Sequence, residues 1–195
     1  YCFDKNQKLL FYDFGSGSGG NIAFDKNDLA LYSIMYNKTC VFKNKFDWNS
    51  KINIDNNLKT KPINVQKIFN DGTNIWYGSY TNGLYLYTNK KFICLNQNNQ
   101  FQEKNIRDII VDNQKKILIG TNLGNVYVYN FNNSKLNLLK KYKTNIDIIG
   151  NTITFIEEIN GYYFIGTNKG INILKNHKLI KLLNESEGLV DLQIN

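Results

Sequence analysis

A pattern of short β-type runs recurs along this chain at intervals of 42 to 46 residues. Its clearest copy reads Ile68-Phe69-Asn70, then Ile75-Trp76-Tyr77-Gly78-Ser79, then Leu84-Tyr85-Leu86-Tyr87. The pattern returns 42 positions on as Ile110-Val111-Asp112, Ile117-Leu118-Ile119-Gly120-Thr121 and Val126-Tyr127-Val128-Tyr129. Another 46 positions bring Phe164-Ile165-Gly166-Thr167-Asn168 and Ile171-Asn172-Ile173-Leu174. A fainter copy lies 45 before the first, with Ala23-Phe24-Asp25, Ala30-Leu31-Tyr32-Ser33 and Thr39-Cys40-Val41-Phe42. A period in this range is that of a propeller blade, a unit that buries its apolar faces only by stacking on its neighbours.

Each copy holds four runs of aromatic and β-branched residues separated by Gly, Asn, Asp and Ser. In the third they are Ile106–Asp112, Lys116–Thr121, Asn125–Asn130 and Lys135–Lys141. Asp71-Gly72 and Asn160-Gly161 are tight-turn signals between first and second runs. No segment has sustained helical periodicity with caps. The expected fold is all-β, with four-stranded antiparallel blades stacked radially as a β-propeller.

One propeller region then covers residues 1–195. Residues 1–14 read as the end of one blade, 21–64, 65–105, 106–152 and 153–189 as four complete blades, and 190–195 as the start of the next. The partial ends supply a first, third and fourth strand but no second, so a ring larger than this chain is expected. Residues 15–20, Gly-Ser-Gly-Ser-Gly-Gly, are either a native loop or an engineered linker. They lack the Gly-Lys-Ser/Thr of a phosphate loop and the following helix of a dinucleotide fingerprint.

Composition narrows the chemistry. The net charge is +8, yet Arg107 is the one arginine and the lysines are scattered, densest at Lys140-Lys141-Tyr142-Lys143. Nucleic-acid surfaces cluster their basic residues and use Arg for bidentate contacts, so no nucleic-acid partner is expected. No apolar run approaches the ~18 residues of a membrane span, and no membrane insertion is expected of this segment. Cys2, Cys40 and Cys94 are odd in number, widely spaced and set among apolar residues, which reads as buried, inert thiols. With one histidine, His177, a multi-His metal site is excluded.

The run aromatic-Ile-Gly-Thr, a short turn, Gly and a β-run resembles the two-component regulator propeller repeat. It is carried by Leu118-Ile119-Gly120-Thr121-Asn122-Leu123-Gly124 and Phe164-Ile165-Gly166-Thr167-Asn168-Lys169-Gly170, with a variant in Trp76-Tyr77-Gly78-Ser79 and Gly83-Leu84. Glu187-Gly188-Leu189 is similar to that family's lead into a next blade. The resemblance covers 65–195, whereas Ser33 replaces the glycine within 22–64. It implies a periplasmic or cell-surface module of a larger extracytoplasmic sensor, recognising a glycan-derived small molecule or a protein. The alternative it implies is a structural scaffold in a secretion or surface assembly. In either case the role it implies is recognition or assembly, with no catalytic residues, no metal and no cofactor.

The residues that tempt a catalytic reading have plainer ones. Trp76-Tyr77 align with Leu118-Ile119 and Phe164-Ile165, which marks them as sheet core rather than a sugar platform. Gly78, Gly120 and Gly166 are read as permitting close backbone approach. The Tyr85-Tyr87 and Tyr127-Tyr129 pairs fall on one face of an outer strand. Glu157 and Glu158 are strand neighbours pointing to opposite faces, a poor acid–base pair. Glu185 and Glu187 sit in an inter-blade loop without a positioned partner, and His177 is expected to be a solvated turn residue. Asp25, Asn70 and Asp112 share one repeat position and are read as turn caps rather than calcium ligands.

Topology supplies a better candidate. In a four-stranded antiparallel blade the second-to-third turn and the link into the next blade lie at the same end, where binding residues usually cluster. That face should carry Tyr80, Thr81, Asn82, Asn122, Leu123, Asn168 and Lys169, with Asn105 and Arg107 near the links. Tyr80 and Arg107 stand out, as an aromatic where the other turns carry Asn and as the lone guanidinium.

Overall fold

A computed structural model describes residues 62–88, 91–97 and 101–189 in full and, before residue 54, the backbone of six strands. Those six are β1 (Cys2–Phe3), β2 (Leu9–Phe11), β3 (Ile22–Phe24), β4 (Leu31–Met35), β5 (Lys38–Phe42) and β6 (Lys51–Asn53). The Gly/Ser segment 15–20, the turn residue Asp25 and residues 190–195 lie outside the described residues, as do the side chains of Cys2 and Cys40.

Three sheets follow, each an antiparallel meander. They are β7 (Val65–Asn70), β8 (Ile75–Ser79), β9 (Leu84–Thr88) and β10 (Lys91–Cys94); β11 (Ile106–Val111), β12 (Ile117–Thr121), β13 (Val126–Asn132) and β14 (Lys135–Tyr142); and β15 (Ile153–Ile159), β16 (Tyr162–Thr167), β17 (Gly170–Lys175) and β18 (Lys178–Leu183). Strands β3–β6 form a fourth sheet of the same order, and β1 pairs with β2. Strands β11–β14 each fall within about two residues of the four runs read from the third copy. The first strands pack side by side, β7 on β11 and β11 on β15, so the sheets stack through their inner edges.

The core is a series of seams, because each sheet presents apolar side chains on both faces. Trp76, Leu86, Ile109, Ile119 and Tyr129 fill the seam between the second and third four-stranded sheets, with Phe101 from the link. Ile110, Leu118, Val128, Ile156, Ile165 and Leu174 fill the next. Leu118 and its neighbours Ile117 and Ile119 therefore serve opposite seams, as strand alternation requires. Every residue of β8 and β12 is buried, which is why these second strands read as continuous apolar runs. Trp76 and Tyr77 have no exposed surface and are core, as expected.

The motif glycines act through a different partner than expected. A Cβ on Gly78 would lie 2.5 Å from Ile106 Cγ2, and one on Gly120 would lie 2.6 Å from Ile153 Cγ2. The approaching group is thus an isoleucine side chain of the next sheet, not a backbone. Gly166 repeats the notch, but there Phe155 of its own sheet fills it.

The tyrosine pairs sit on third strands, between the second and fourth, rather than on an outermost strand. Tyr129 is core, and Tyr127 donates its hydroxyl to Glu103 of the preceding link. The turn caps hold: Asn70 Oδ1 accepts from Gly72 N at 2.8 Å, and Asp112 Oδ1 accepts from Gln114 N at 2.9 Å and Lys116 N at 2.8 Å. Cys94 is a buried free thiol, as read.

Candidate functional site

The turn-and-link face is built on a buried hydroxyl in each fully described sheet, and in two of the three it ties turn to link. The residue after the motif glycine is Ser79, Thr121 or Thr167, each with no exposed surface. Ser79 Oγ donates to Ile63 O at 2.6 Å and accepts from Thr81 N and Asn82 N at 3.0 and 2.9 Å. Thr167 Oγ1 bonds Ile149 O at 2.9 Å and accepts from Lys169 N at 3.1 Å. One buried hydroxyl thus ties the second-to-third turn to the link that enters the same sheet. Thr121 Oγ1 closes only its own turn, on Asn125 O at 3.3 Å. Turn and link meet there through Asn122 N donating to Asn105 O at 3.1 Å.

This arrangement brings the sequence-derived residues to one end. Tyr80 N donates to Asn64 O at 2.8 Å, which leaves the ring outward and 44% exposed. Thr81 is exposed and accepts from Asn64 Nδ2 at 3.2 Å. Asn82 is half-buried; its Oδ1 accepts from Ile63 N at 3.4 Å and its Nδ2 donates to Tyr85 Oη at 2.6 Å. Asn122 is half-buried, and its carbonyl accepts from Thr152 Oγ1 at 3.5 Å. Asn168 Oδ1 accepts from Asn151 N at 2.7 Å, and Lys169 is exposed beside it. The asparagines therefore hold the face together, while Tyr80 and Lys169 are its outward groups. Arg107 is half-buried on β11 and donates Nε to Ile153 O at 3.3 Å, an inter-sheet tie.

The sequence reading names Leu123 but not the exposed isoleucines of the links. Ile63, Ile146 and Ile149 in the links and Leu123 in a turn are 40, 76, 41 and 63% exposed. The signal is available, since isoleucines recur in link segments otherwise rich in Asn, Thr and Lys.

The first-to-second and third-to-fourth turns at the opposite end carry a second cluster of ionisable groups. Asp112 Oδ2 accepts from Tyr163 Oη at 2.7 Å across the seam, and burial and that carboxylate hold the Tyr163 hydroxyl well above its ordinary range. Glu158 accepts from Asn113 Nδ2 at 2.5 Å and Gly161 N at 2.7 Å, while Glu157 is exposed. His177 is in a turn, as read, but it is not simply solvated. Its Nδ1 shares a 2.6 Å hydrogen bond with the hydroxyl of wholly buried Tyr142. Burial and nearby Asp147 push Tyr142 up to about 12. Glu187, read as partnerless, pairs with Lys181 at 2.9 Å. Among the described residues, no three His, Cys, Asp or Glu side chains converge as metal ligands would.

No protein-family model matches the chain, and no curated protein matches it. Solved structures do. The extracellular domain of BT4673 from B. thetaiotaomicron, named as a one-component system, aligns over 91% of this chain and 24% of its own, at 18% identity and TM-score 0.66. PorZ of Porphyromonas gingivalis, a surface component of the type-IX secretion system, aligns over 88% and 28%, at 14% identity and TM-score 0.63. The WD40 β-propeller domain of Doa1 aligns over 84% and 53%, at 14% identity and TM-score 0.61. The chain spans about a quarter of the first two and about half of the third. These likenesses and the stacked meanders lead to one conclusion: the chain is an all-β protein of propeller fold, built from four-stranded antiparallel blades.

Proposed function

We propose that this chain is a non-catalytic recognition module whose turn-and-link face docks a protein, within a larger sensor at the bacterial surface or in the periplasm. The observation that carries the reading is the set Ile63, Tyr80, Leu123 and Ile149, all at least 40% exposed and all in the turns and links at one end of the blades. Exposed aliphatic and aromatic residues gathered on one face mark an interaction surface more than they mark a polar-ligand pocket. The buried hydroxyls of Ser79 and Thr167 fix the loops that carry them, so little ordering is needed on binding. The chemistry of the opposite end supports a non-catalytic role: His177 is engaged by Tyr142, and Asp112 by Tyr163 and two backbone amides. Likeness to an extracellular domain of a one-component system supports the sensor setting.

A second reading is favoured by the likeness to PorZ: a structural scaffold in a secretion or surface assembly, using the same face. A glycan-derived ligand on this face is a third, and nucleic acid is not proposed.

The test is site-specific photo-crosslinking in the source cell, with a benzophenone side chain at Tyr80, Leu123 or, as control, exposed Lys135 at the other end of the blades. One protein captured at both Tyr80 and Leu123 and absent at Lys135 supports the reading. Capture at Lys135 alone, or loss of capture on adding host or cell-wall oligosaccharides, overturns it in favour of the other end or of a glycan.

A further inference from the structure

Two clefts meet at the Asn176–His177 turn, on the seam between the last two blades. The first has a volume of about 330 Å³ and is walled by Asp112, Glu158, Lys116 and Tyr163. The second has about 410 Å³ and is walled by Lys140, Lys178, Asp147 and Leu179, with Ile146 of the link between the two blades. Asn176 and His177 belong to both.

The two arms have opposite charge. The first sets two carboxylates, Asp112 and Glu158, against one ammonium, Lys116. The second sets two ammoniums, Lys140 and Lys178, against one carboxylate, Asp147, which already accepts from Lys143 N at 3.0 Å. In the first arm the carboxylates are fixed by neutral donors: Tyr163 and turn amides for Asp112, Asn113 and Gly161 for Glu158. No ion pair within the described residues neutralises Glu158, Lys140 or Lys178. Charges held by dipoles rather than by counter-ions keep their attraction for a ligand and need no reorganisation to bind one.

His177 stands where the arms join. Its ring is stacked on Tyr142, centroids 6.2 Å apart, and Nδ1 is taken by the Tyr142 hydroxyl. That leaves Nε2, which has no partner among the described residues, as the polar atom free to meet a bound molecule.

We propose that this groove binds a short peptide with both termini free, its ammonium toward Asp112 and Glu158 and its carboxylate toward Lys140 and Lys178. His177 Nε2 then bonds a peptide group between them. A single amino acid carries both charges on one carbon and cannot reach around the imidazole. Each added residue extends the chain by up to about 3.5 Å, so a di- or tripeptide can place its two termini on different sides of the imidazole. Clefts of a few hundred Å³ are of the size that holds such ligands.

The experiment is titration calorimetry of the whole chain with trialanine, N-acetyl-trialanine, trialanine amide and alanine. Trialanine should saturate, and blocking either terminus or shortening to alanine should weaken binding at least tenfold. Glu158→Gln should weaken trialanine several-fold while leaving the acetylated peptide unchanged, and Lys178→Gln should weaken trialanine several-fold while leaving the amide unchanged. Both positions are at the surface, and an unchanged circular dichroism spectrum verifies the fold of each variant. Absence of saturable binding, or equal affinity for free and blocked peptides, overturns the proposal. So does trialanine binding that ignores both substitutions and is lost in Tyr80→Ala. None of these outcomes bears on protein docking through Tyr80 and Leu123, which line neither cleft.

Discussion

Asp108, buried in the innermost strand of one blade, accepts the backbone N–H of Ile156 in the next blade at 2.6 Å. Its other oxygen meets Lys67 Nζ of the preceding blade at 2.7 Å and also accepts from Ile109 N at 2.9 Å. One carboxylate thus joins three consecutive inner strands. The bond to Ile156 is the one that matters most, because an amide left without an acceptor inside a seam forfeits its full solvation.

Replacing Asp108 with Ala should therefore destabilise by about 2–3 kcal/mol, read from urea unfolding. Lys67→Met should cost clearly less. Its side chain is 33% exposed, so solvent screens the pair, and Asp108 retains two amide donors. Equal losses for the two variants would mean that the ion pair, not the amide bond, joins the strands.

The glycine notches make a second expectation. Gly120→Ala places a methyl against Ile153 Cγ2 and Ile156 Cδ1, atoms of a packed seam. Overpacking of this kind costs about 1–3 kcal/mol. Trimming Ile153 to Ala in the same chain vacates the space, so the double variant should lose less than the sum of the single losses. Strict additivity in that cycle would show that the notch is not the reason for the glycine.

How much of this was legible follows from which interactions are local. Strand positions and the Asn70 and Asp112 caps were readable, because alternation and turn chemistry act over a few residues. The gathering of turns and links at one end was readable too, since it follows from counting antiparallel strands. The partner of Gly120 was not, because Ile153 lies in the next repeat and only stacking brings it near. Tyr127 with Glu103, and Tyr142 with His177, were hidden for the same reason. At the candidate face the polar residues attracted notice, yet Asn82, Asn122 and Asn168 serve mostly to tie loops together. Ile63 and Ile149 were overlooked because an isoleucine reads as core until a structure shows it outside.

Alkaline pH should loosen the fold through its seam tyrosines. Burial pushes Tyr129 and Tyr142 from 10.0 up to about 12, with Glu103 adding to the first and Asp147 to the second. The folded value lies above the unfolded one, so the native state keeps these protons longer. Their contribution is complete below pH 10 and declines as pH rises from there toward 12. Each such tyrosine removes up to about 1.4 kcal/mol per pH unit over that window. Urea midpoints should fall between about pH 9 and about pH 11, and fall less steeply in Tyr142→Phe. A midpoint flat across that range would contradict the assignment.

Thr167 tests whether the turn-and-link face is held by its buried hydroxyls. Valine matches threonine in shape, so Thr167→Val removes the bonds to Ile149 O and Gly170 O and the acceptor for Lys169 N with little change in packing. Global stability should drop by about 1–2 kcal/mol, the range for a buried hydroxyl whose partners are left unpaired. The sharper signature is local. Hydrogen exchange at Lys169 should rise by more than the global loss explains, because that amide loses its acceptor outright. Exchange at Ile149 should rise much less, since its N–H still donates to Asn172 Oδ1 at 2.8 Å. Equal acceleration at both amides would show that the loop opens as one unit and that the hydroxyl is not its pin.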